Sequence, residues 1–275
     1  MESDMENGAD TKSTKSQSWL ARLQQDVTLT HADIPILACC SVSGICDSVA
    51  FSGANVFVSM QTGNTLFLAL GTAGIPADEP KLWIKCLASM ASFWLGCFVF
   101  SRISRLLGPL RKSSLALLFL MQGSLICVAA ALAQTNTAPT FGQTFVGTDR
   151  ATSIHGLEDD MFVCLPIALL AFQFGGQIVV SRALGFNEVP TTVLTSVYCD
   201  LFSDPKILAP LGENVKRNRR AAAVVLFICG GIVGGHLQRS AGGMSAALWL
   251  GCGIKLVIGL AWLLWKGKEV SNEKK

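Results

Sequence analysis

The chain has 275 residues, of which 51% are hydrophobic and only 15% are charged. Its 22 basic and 19 acidic residues leave a net charge of +3, which is too balanced to indicate a nucleic-acid partner. With a mean hydropathy of +0.47, the composition excludes an ordinary soluble domain and predicts a polytopic protein embedded in a lipid bilayer.

The first 30 residues are predicted to form a disordered cytosolic tail. Residues 1–17 are rich in polar and charged side chains and lack the apolar run of a cleavable signal peptide. A short amphipathic stretch follows, which is either an interfacial helix or a linker. Its apolar members are Trp19, Leu20, Leu23 and Val27.

Six apolar runs are long enough to cross a bilayer as helices, for which roughly 17–25 residues are needed. They cover residues 34–51, 82–100, 115–133, 161–181, 221–237 and 244–265. Two further apolar stretches, 65–73 and 193–202, follow polar or proline-containing turns and are too short to span. We therefore predict an all-α membrane protein with six transmembrane helices and two re-entrant or half-helices.

The distribution of basic residues indicates the orientation. With six spans, 17 basic residues lie on the side of both termini, including a basic tail at 266–275, and only four lie on the other side. Because cytosolic loops are enriched in Lys and Arg, both termini are predicted to be cytosolic. A model in which both short segments cross fully has eight spans and a weaker charge asymmetry, and the sequence leaves it open. Which cellular membrane holds the protein is not indicated.

The order of long and short segments is the same in two halves of the predicted membrane domain, which covers residues 31–265. The halves are residues 34–133 and 161–265, separated by a loop at 134–160. Because each half crosses three times, the second is predicted to be an inverted repeat of the first. This plan is common in secondary transporters, and it brings the interrupted segments together near mid-membrane.

A polar break precedes each of the two short apolar stretches, 65–73 and 193–202, and we call these breaks the first and the second interruption. The polar residues around them form the predicted binding site for a small solute. The N-terminus of a half-helix exposes unpaired N–H groups and a partial positive charge, and the adjoining unwound backbone offers carbonyl oxygens. The predicted site residues are Asp47, Gln61, Thr62, Gly63, Asn64, Gln177, Thr191, Thr192 and Thr195. The alternative is that these residues only cap buried helix ends.

Three ionisable residues within or near spans are individual candidates for proton or cation coupling. Asp47 either has this role or makes a structural hydrogen bond. His236 either relays protons or reaches the interface, and Lys255 either relays protons or bonds to a backbone carbonyl. Gln173 and Gln177 lie one helical turn apart, so both amides are expected to face the interior of the bundle.

Enzyme motifs are not found in the sequence. There is no HExxH zinc motif, no phosphate-binding P-loop and no GxSxG nucleophile elbow. The ten cysteines form no CxxC pair and fall within or beside apolar segments. We therefore predict no catalytic residues, no metal site and no cofactor.

Four glycines, Gly230, Gly231, Gly234 and Gly235, form two overlapping GxxxG pairs in the fifth span. Such pairs allow the close approach of two helices. The glycine-rich face is therefore predicted to pack against another helix, either inside the protein or in a homo-oligomer.

Two groups of residues surround the interruptions. The first group is Gly44, Asp47, Phe51, Phe57 and residues 59–64. The second group is residues 175–177, Arg182 and residues 190–195. These groups resemble the two signatures of the YoaK-like family of uncharacterised integral membrane proteins (DUF1275), and the resemblance covers about residues 34–265. It implies a multi-span fold without an established substrate, cofactor or catalytic residue, and the long tail and loop resemble the larger, fungal members.

The expected function is that of a secondary transporter or channel for a small polar or ionic solute. The alternative is a non-transporting membrane scaffold or assembly factor, in which the glycine faces and polar breaks serve helix packing. An intramembrane enzyme is a third reading, in which Asp47, His236 and Lys255 meet without following a known catalytic spacing.

Overall fold

A computed structural model describes residues 22–142 and 161–268 of the chain. Three parts of the chain lie outside the described residues. They are residues 1–21, with the predicted disordered segment and Trp19 and Leu20 of the amphipathic stretch, residues 143–160 of the long loop, and residues 269–275 of the basic tail. Within the described ranges the secondary structure is helical, and two isolated bridges, Asp26 to Arg111 and Val27 to Gly267, are the only β-type pairings.

Eight helices form the body of the described protein. They are α1 (Asp33–Ala54), α2 (Thr62–Gly71), α3 (Leu82–Leu107), α4 (Lys112–Gln134), α5 (Cys164–Ala183), α6 (Thr195–Phe202), α7 (Val215–Gln238) and α8 (Gly243–Leu264). One further helical turn lies at Pro139–Gly142, and a 3-10 turn at Met161–Val163 precedes α5.

Six of these helices, α1, α3, α4, α5, α7 and α8, are long and apolar enough to cross a membrane. This confirms the six predicted spans and the all-helical fold class. The other two, α2 and α6, contain 10 and 8 residues. At 1.5 Å per residue they are about 15 Å and 12 Å long, roughly half the thickness of a bilayer core.

The first interruption begins where α1 ends. Asn55 adopts a left-handed conformation with φ of 55°, and its N–H still bonds to Phe51 O at 3.0 Å. Asparagine tolerates this backbone better than most residues, so it ends the helix at low cost. The backbone then stays non-helical until Thr62, where α2 begins.

The spans divide into inner and outer helices. In the most apolar windows of α1, α5, α4 and α8, 67%, 61%, 50% and 44% of residues are buried, against 33% in α3 and 22% in α7. The outer helix α3 packs on α5, the outer helix α7 packs on α1, and the inner helices α4 and α8 pack on each other. The short helices α2 and α6 pack on α3 and α7.

Glycines allow the outer helices to touch the inner ones. A Cβ added to Gly44 in α1 would lie 2.1 Å from Phe227 O in α7, and one added to Gly96 in α3 would lie 2.1 Å from Phe172 O in α5. The predicted glycine-rich face is used in the same way, because a Cβ on Gly230 would lie 2.1 Å from Ser41 O. Gly235, by contrast, has nothing within 4 Å.

The helix pairs correspond between the two halves of the chain. The helices α1, α2, α3 and α4 are matched in order with α5, α6, α7 and α8. Under this matching the contact between α1 and α7 is equivalent to that between α5 and α3, and the contact between α4 and α5 is equivalent to that between α8 and α1. All of these contacts are present. The correspondence is what two related halves would produce, and the inverted repeat itself stays a prediction.

Both ends of the described chain lie at the same end of the bundle. Residues 25–28, which we call the N-terminal strap, cross the α3–α4 connection, where Val27 N donates to Leu110 O at 2.9 Å. The strap also pairs with the residues after α8, because Lys268 N donates to Asp26 O at 2.7 Å. The side of the membrane on which this end lies stays a prediction.

Candidate functional site

Asp47 holds the first interruption against the middle of α1. Its Oδ1 accepts hydrogen bonds from Val58 N and Ser59 N, both at 2.8 Å, and its Oδ2 accepts one from Ser59 Oγ at 2.5 Å. Three donors converging on a buried carboxylate offset much of the cost of removing its charge from water. Asp47 lies seven residues before Ala54, so residues 58–59 fold back about 10 Å along the helix.

Asn64, at the start of α2, fastens the same segment from the other side. Its Oδ1 accepts from Phe57 N at 3.0 Å, and its Nδ2 donates to Phe57 O and to Gln61 Oε1, both at 2.7 Å. Ser89 in α3 completes the network by donating to Phe57 O at 2.7 Å and accepting from Gln61 Nε2 at 3.2 Å. The sequence did not indicate Ser89, because one serine in an apolar span forms no distinguishing pattern.

Ser43 holds the second interruption, which is the non-helical segment between α5 and α6. Its Oγ donates to Thr191 O at 2.8 Å and accepts from Gln177 Nε2 at 2.9 Å, which joins α1, α5 and the segment before α6. Thr191 has φ of 62°, a left-handed backbone that a threonine rarely adopts. The surrounding contacts therefore impose an unusual conformation at this position.

The other predicted site residues lie around these two groups. Thr192 is buried, and Gly63 packs against the Phe57 ring. Thr62 and Thr195, which begin α2 and α6, are exposed on the outside of the bundle. Neither short helix has a side-chain cap at its N-terminus. The structure thus joins Asp47 with Gln61 and Asn64, and Gln177 with Thr191, and leaves the two exposed threonines apart from both groups.

Lys255 lies fully buried between α8, α4 and α1. Its Nζ donates to Gln122 Oε1 at 2.6 Å and lies 5.2 Å from the centre of the Phe119 ring. The Cys39 thiol of α1 lies near the same ammonium. Lys255 therefore bonds to a side-chain amide, and not to the backbone carbonyl that the sequence offered as one alternative. Within the described ranges no carboxylate forms an ion pair with Lys255.

Several buried polar atoms have no hydrogen-bond partner among the described residues. On the inner helices they are both amide atoms of Gln173, Nε2 of Gln122, Oε1 of Gln177, Oγ of Ser114 and Nε1 of Trp262, and in the segment before α6 Oγ1 of Thr191 is another. These residues are at most 3% exposed. A buried polar group without a partner costs roughly 1–3 kcal/mol. Proteins usually remove such a cost unless the group has a function.

His236 does not join these groups. It is exposed on the outer helix α7, whereas Asp47 and Lys255 are buried on inner helices. In residues 22–142 and 161–268, no group of three or more His, Cys, Asp or Glu side chains is arranged to hold a metal ion. All ten cysteines are free thiols.

A family model described as "Protein of unknown function (DUF1275)" matches residues 36–261. The match covers most of the chain, and it includes both interruptions together with Ser43, Asp47 and Lys255. No curated protein and no solved structure matches the chain.

Proposed function

This chain belongs to the DUF1275 family, and from that premise we propose that it is a secondary transporter or channel for a small polar or ionic solute. It is an integral membrane protein with six apolar helices that are long enough to cross a bilayer. We propose a transport role and no catalytic one.

The unpaired polar atoms on the inner helices carry this proposal. Ionisable and amide side chains inside a membrane bundle are costly, and those that face its interior commonly mark the path of a substrate or ion. Gln173 is the strongest case, because it is fully buried and neither of its amide atoms has a hydrogen-bond partner in residues 22–142 and 161–268. A solute with both hydrogen-bond donors and acceptors would satisfy this amide.

The polar residues of the inner helices form a connected series. Lys255 Nζ on α8 donates to Gln122 Oε1 on α4, and the same ammonium lies near Cys39 on α1. Cys39 O is in turn 3.4 Å from Gln177 Nε2 on α5, and Gln177 reaches Thr191 through Ser43. The series runs from the middle of the bundle to the second interruption. We propose that the solute moves along it.

In this proposal Asp47 supports the site without binding the solute. All three of its hydrogen bonds come from the first interruption, so its carboxylate is already occupied. By fixing residues 58–59, it holds the first interruption against the inner helix α1. The solute would then contact Gln173 and Gln177 on α5.

The test is solute flux into proteoliposomes that contain the purified full-length chain. The panel includes small anions, cations and neutral polar solutes. Uptake of at least one class is expected from the natural chain, and its loss is expected in Gln173→Leu, which keeps the size of the side chain but removes the amide. No flux across the panel with correctly folded protein would contradict the proposal.

A membrane scaffold or assembly factor is the second candidate. The observation that favours it is the closed network of Asp47, Asn64 and Ser89, which uses the polar residues of the first interruption for internal bonds. A scaffold needs the interruptions only for shape. Under this reading Gln173→Leu leaves the function of the protein intact and raises its stability.

A further inference from the structure

A cavity of about 520 Å³ lies where the N-terminal strap, the start of α4 and the end of α8 meet. Three basic side chains line it: Arg22 just ahead of the strap, Lys112 at the start of α4 and Lys266 after α8. None of the described residues that line it is acidic. Asp26 is the nearest acidic residue in the strap, and its side chain is exposed and outside the lining.

Backbone hydrogen bonds attach Lys112 and Lys266 to the N-terminal strap. Lys112 N donates to Gln25 O at 3.1 Å, and Thr28 N donates to Lys266 O at 3.0 Å. The strap therefore joins two parts of the chain that are far apart in sequence. Because these bonds use the main-chain atoms of Lys112 and Lys266, they do not occupy either ammonium group.

Lys112 is the most unusual of the three. It is only 8% exposed, and in the described residues its side chain forms no hydrogen bond or ion pair. At the same end of the bundle, Arg219 is paired with both Asp33 and Glu188 at 2.9 Å. A largely buried ammonium without an internal counter-charge is costly, and an external anion would offset that cost.

The apolar part of the lining indicates where the anion comes from. Leu264, the last residue of α8, is 87% exposed, so it faces lipid at the end of a span. Trp265 follows it, and its indole Nε1 donates to Thr28 O at 3.0 Å. Tryptophan beside basic residues at a helix end is typical of the depth of lipid headgroups. The cavity thus lies at the boundary between acyl chains and headgroups.

We propose that this cavity binds the phosphate group of an anionic phospholipid. Lys112 is the buried cation that contacts the phosphate, and Arg22 and Lys266 flank it. Leu264 and Trp265 contact the adjoining acyl chain. This site lies at the end of the bundle and is independent of the proposed transport site.

The experiment uses the full-length chain in a neutral detergent, with dioctanoyl phosphatidic acid as the probe. A saturable rise in melting temperature is expected with this lipid, and none with dioctanoyl phosphatidylcholine or inorganic phosphate. Because a Lys near a charged lipid surface contributes about 1 kcal/mol, Lys112→Gln and Lys266→Gln should each weaken binding about fivefold. The matched control is Lys216→Gln, which removes an exposed charge from the start of α7, outside the cavity.

Two results would overturn the proposal. If inorganic phosphate stabilises the chain as well as the lipid does, the ligand is a soluble anion. If Lys216→Gln weakens binding as much as Lys112→Gln, the attraction is a general surface effect. Should Lys112→Gln fail to fold, Arg22→Gln and Lys266→Gln change exposed side chains and make the same test.

Discussion

Ser43 and Asp47 lie one turn apart on the same face of α1, and each binds one of the two interrupted segments. Ser43 donates to Thr191 O, and Asp47 accepts from Val58 N and Ser59 N. They are four positions apart in the helix, which is about 6 Å along the axis. The two interruptions therefore meet α1 at neighbouring turns near its middle.

Replacing Asp47 tests whether its role is structural. Asp47→Asn turns one acceptor into a donor that faces the N–H and hydroxyl donors of residues 58–59. We expect a loss of about 1.5–3 kcal/mol in the free energy of unfolding, measured by denaturation in detergent. Asp78→Asn is the control, since Asp78 is exposed. Unchanged stability with abolished uptake would instead indicate that Asp47 couples transport.

Replacing Gly44 tests the contact between α1 and α7. In Gly44→Ala the new methyl group would lie 2.1 Å from Phe227 O, so one helix must shift. Overpacking of this kind costs about 1–3 kcal/mol, which should lower the melting temperature. Gly235→Ala has nothing within 4 Å of its added methyl group, and it should melt like the natural chain. Equal melting temperatures for the two variants would contradict the close contact between α1 and α7.

Replacing two buried glutamines separates a functional amide from a structural one. Gln173→Leu removes two unpaired polar atoms and should raise stability by about 1–3 kcal/mol while abolishing flux. Gln238→Leu removes an amide that donates to Ser48 Oγ at 3.3 Å and to Gly234 O at 3.1 Å. It should lower stability by about 1 kcal/mol. Retained flux in Gln173→Leu would exclude this amide from the path.

The loop after α6 should weaken in acid. The pKa of Asp204 is lowered from 3.8, first because Asn214 Nδ2 donates to its carboxylate and then because Lys206 N does so. A lowered pKa in the folded state means that the ionised form stabilises the fold. The contribution is complete above pH 3.8 and is lost as the pH falls through the folded pKa.

The measurement is the difference in melting temperature between the natural chain and Asp204→Asn as a function of pH. The natural chain should be the more stable above pH 3.8, and the difference should shrink in stronger acid. A difference that does not vary with pH would show that Asp204 acts through its shape alone.

The orientation can be tested with single introduced cysteines. Arg105→Cys lies at the end of the bundle that carries both termini, and it should react with an impermeant thiol reagent only after the cells are permeabilised. Asp78→Cys, at the other end, should react in intact cells. A background of Cys199→Ser and Cys229→Ser removes the two exposed natural thiols. Reaction of Arg105→Cys from outside would reverse the predicted orientation.

The sequence was most informative about the spans. A segment that crosses a bilayer must be apolar along its whole length, so helices such as α4 and α8 could be predicted from composition alone. Asp47 and residues 61–64 were recognisable for the related reason that polar residues between apolar runs are costly in lipid. The partners of these residues were not predictable, because Ser43 and Ser89 resemble many other serines in apolar helices.

An all-helical membrane protein with six spans and two interruptions was predictable from the sequence alone, because the bilayer imposes length and polarity on each segment separately. The folded structure was needed to show that Asp47 bonds to the first interruption, that Ser43 bonds to the second, and that Gln173 has no hydrogen-bond partner in the part of the chain that is described. Those relationships depend on contacts between helices that are far apart in sequence. The same is true of Lys112 and Lys266, which lie beside one cavity because the N-terminal strap holds their backbones together.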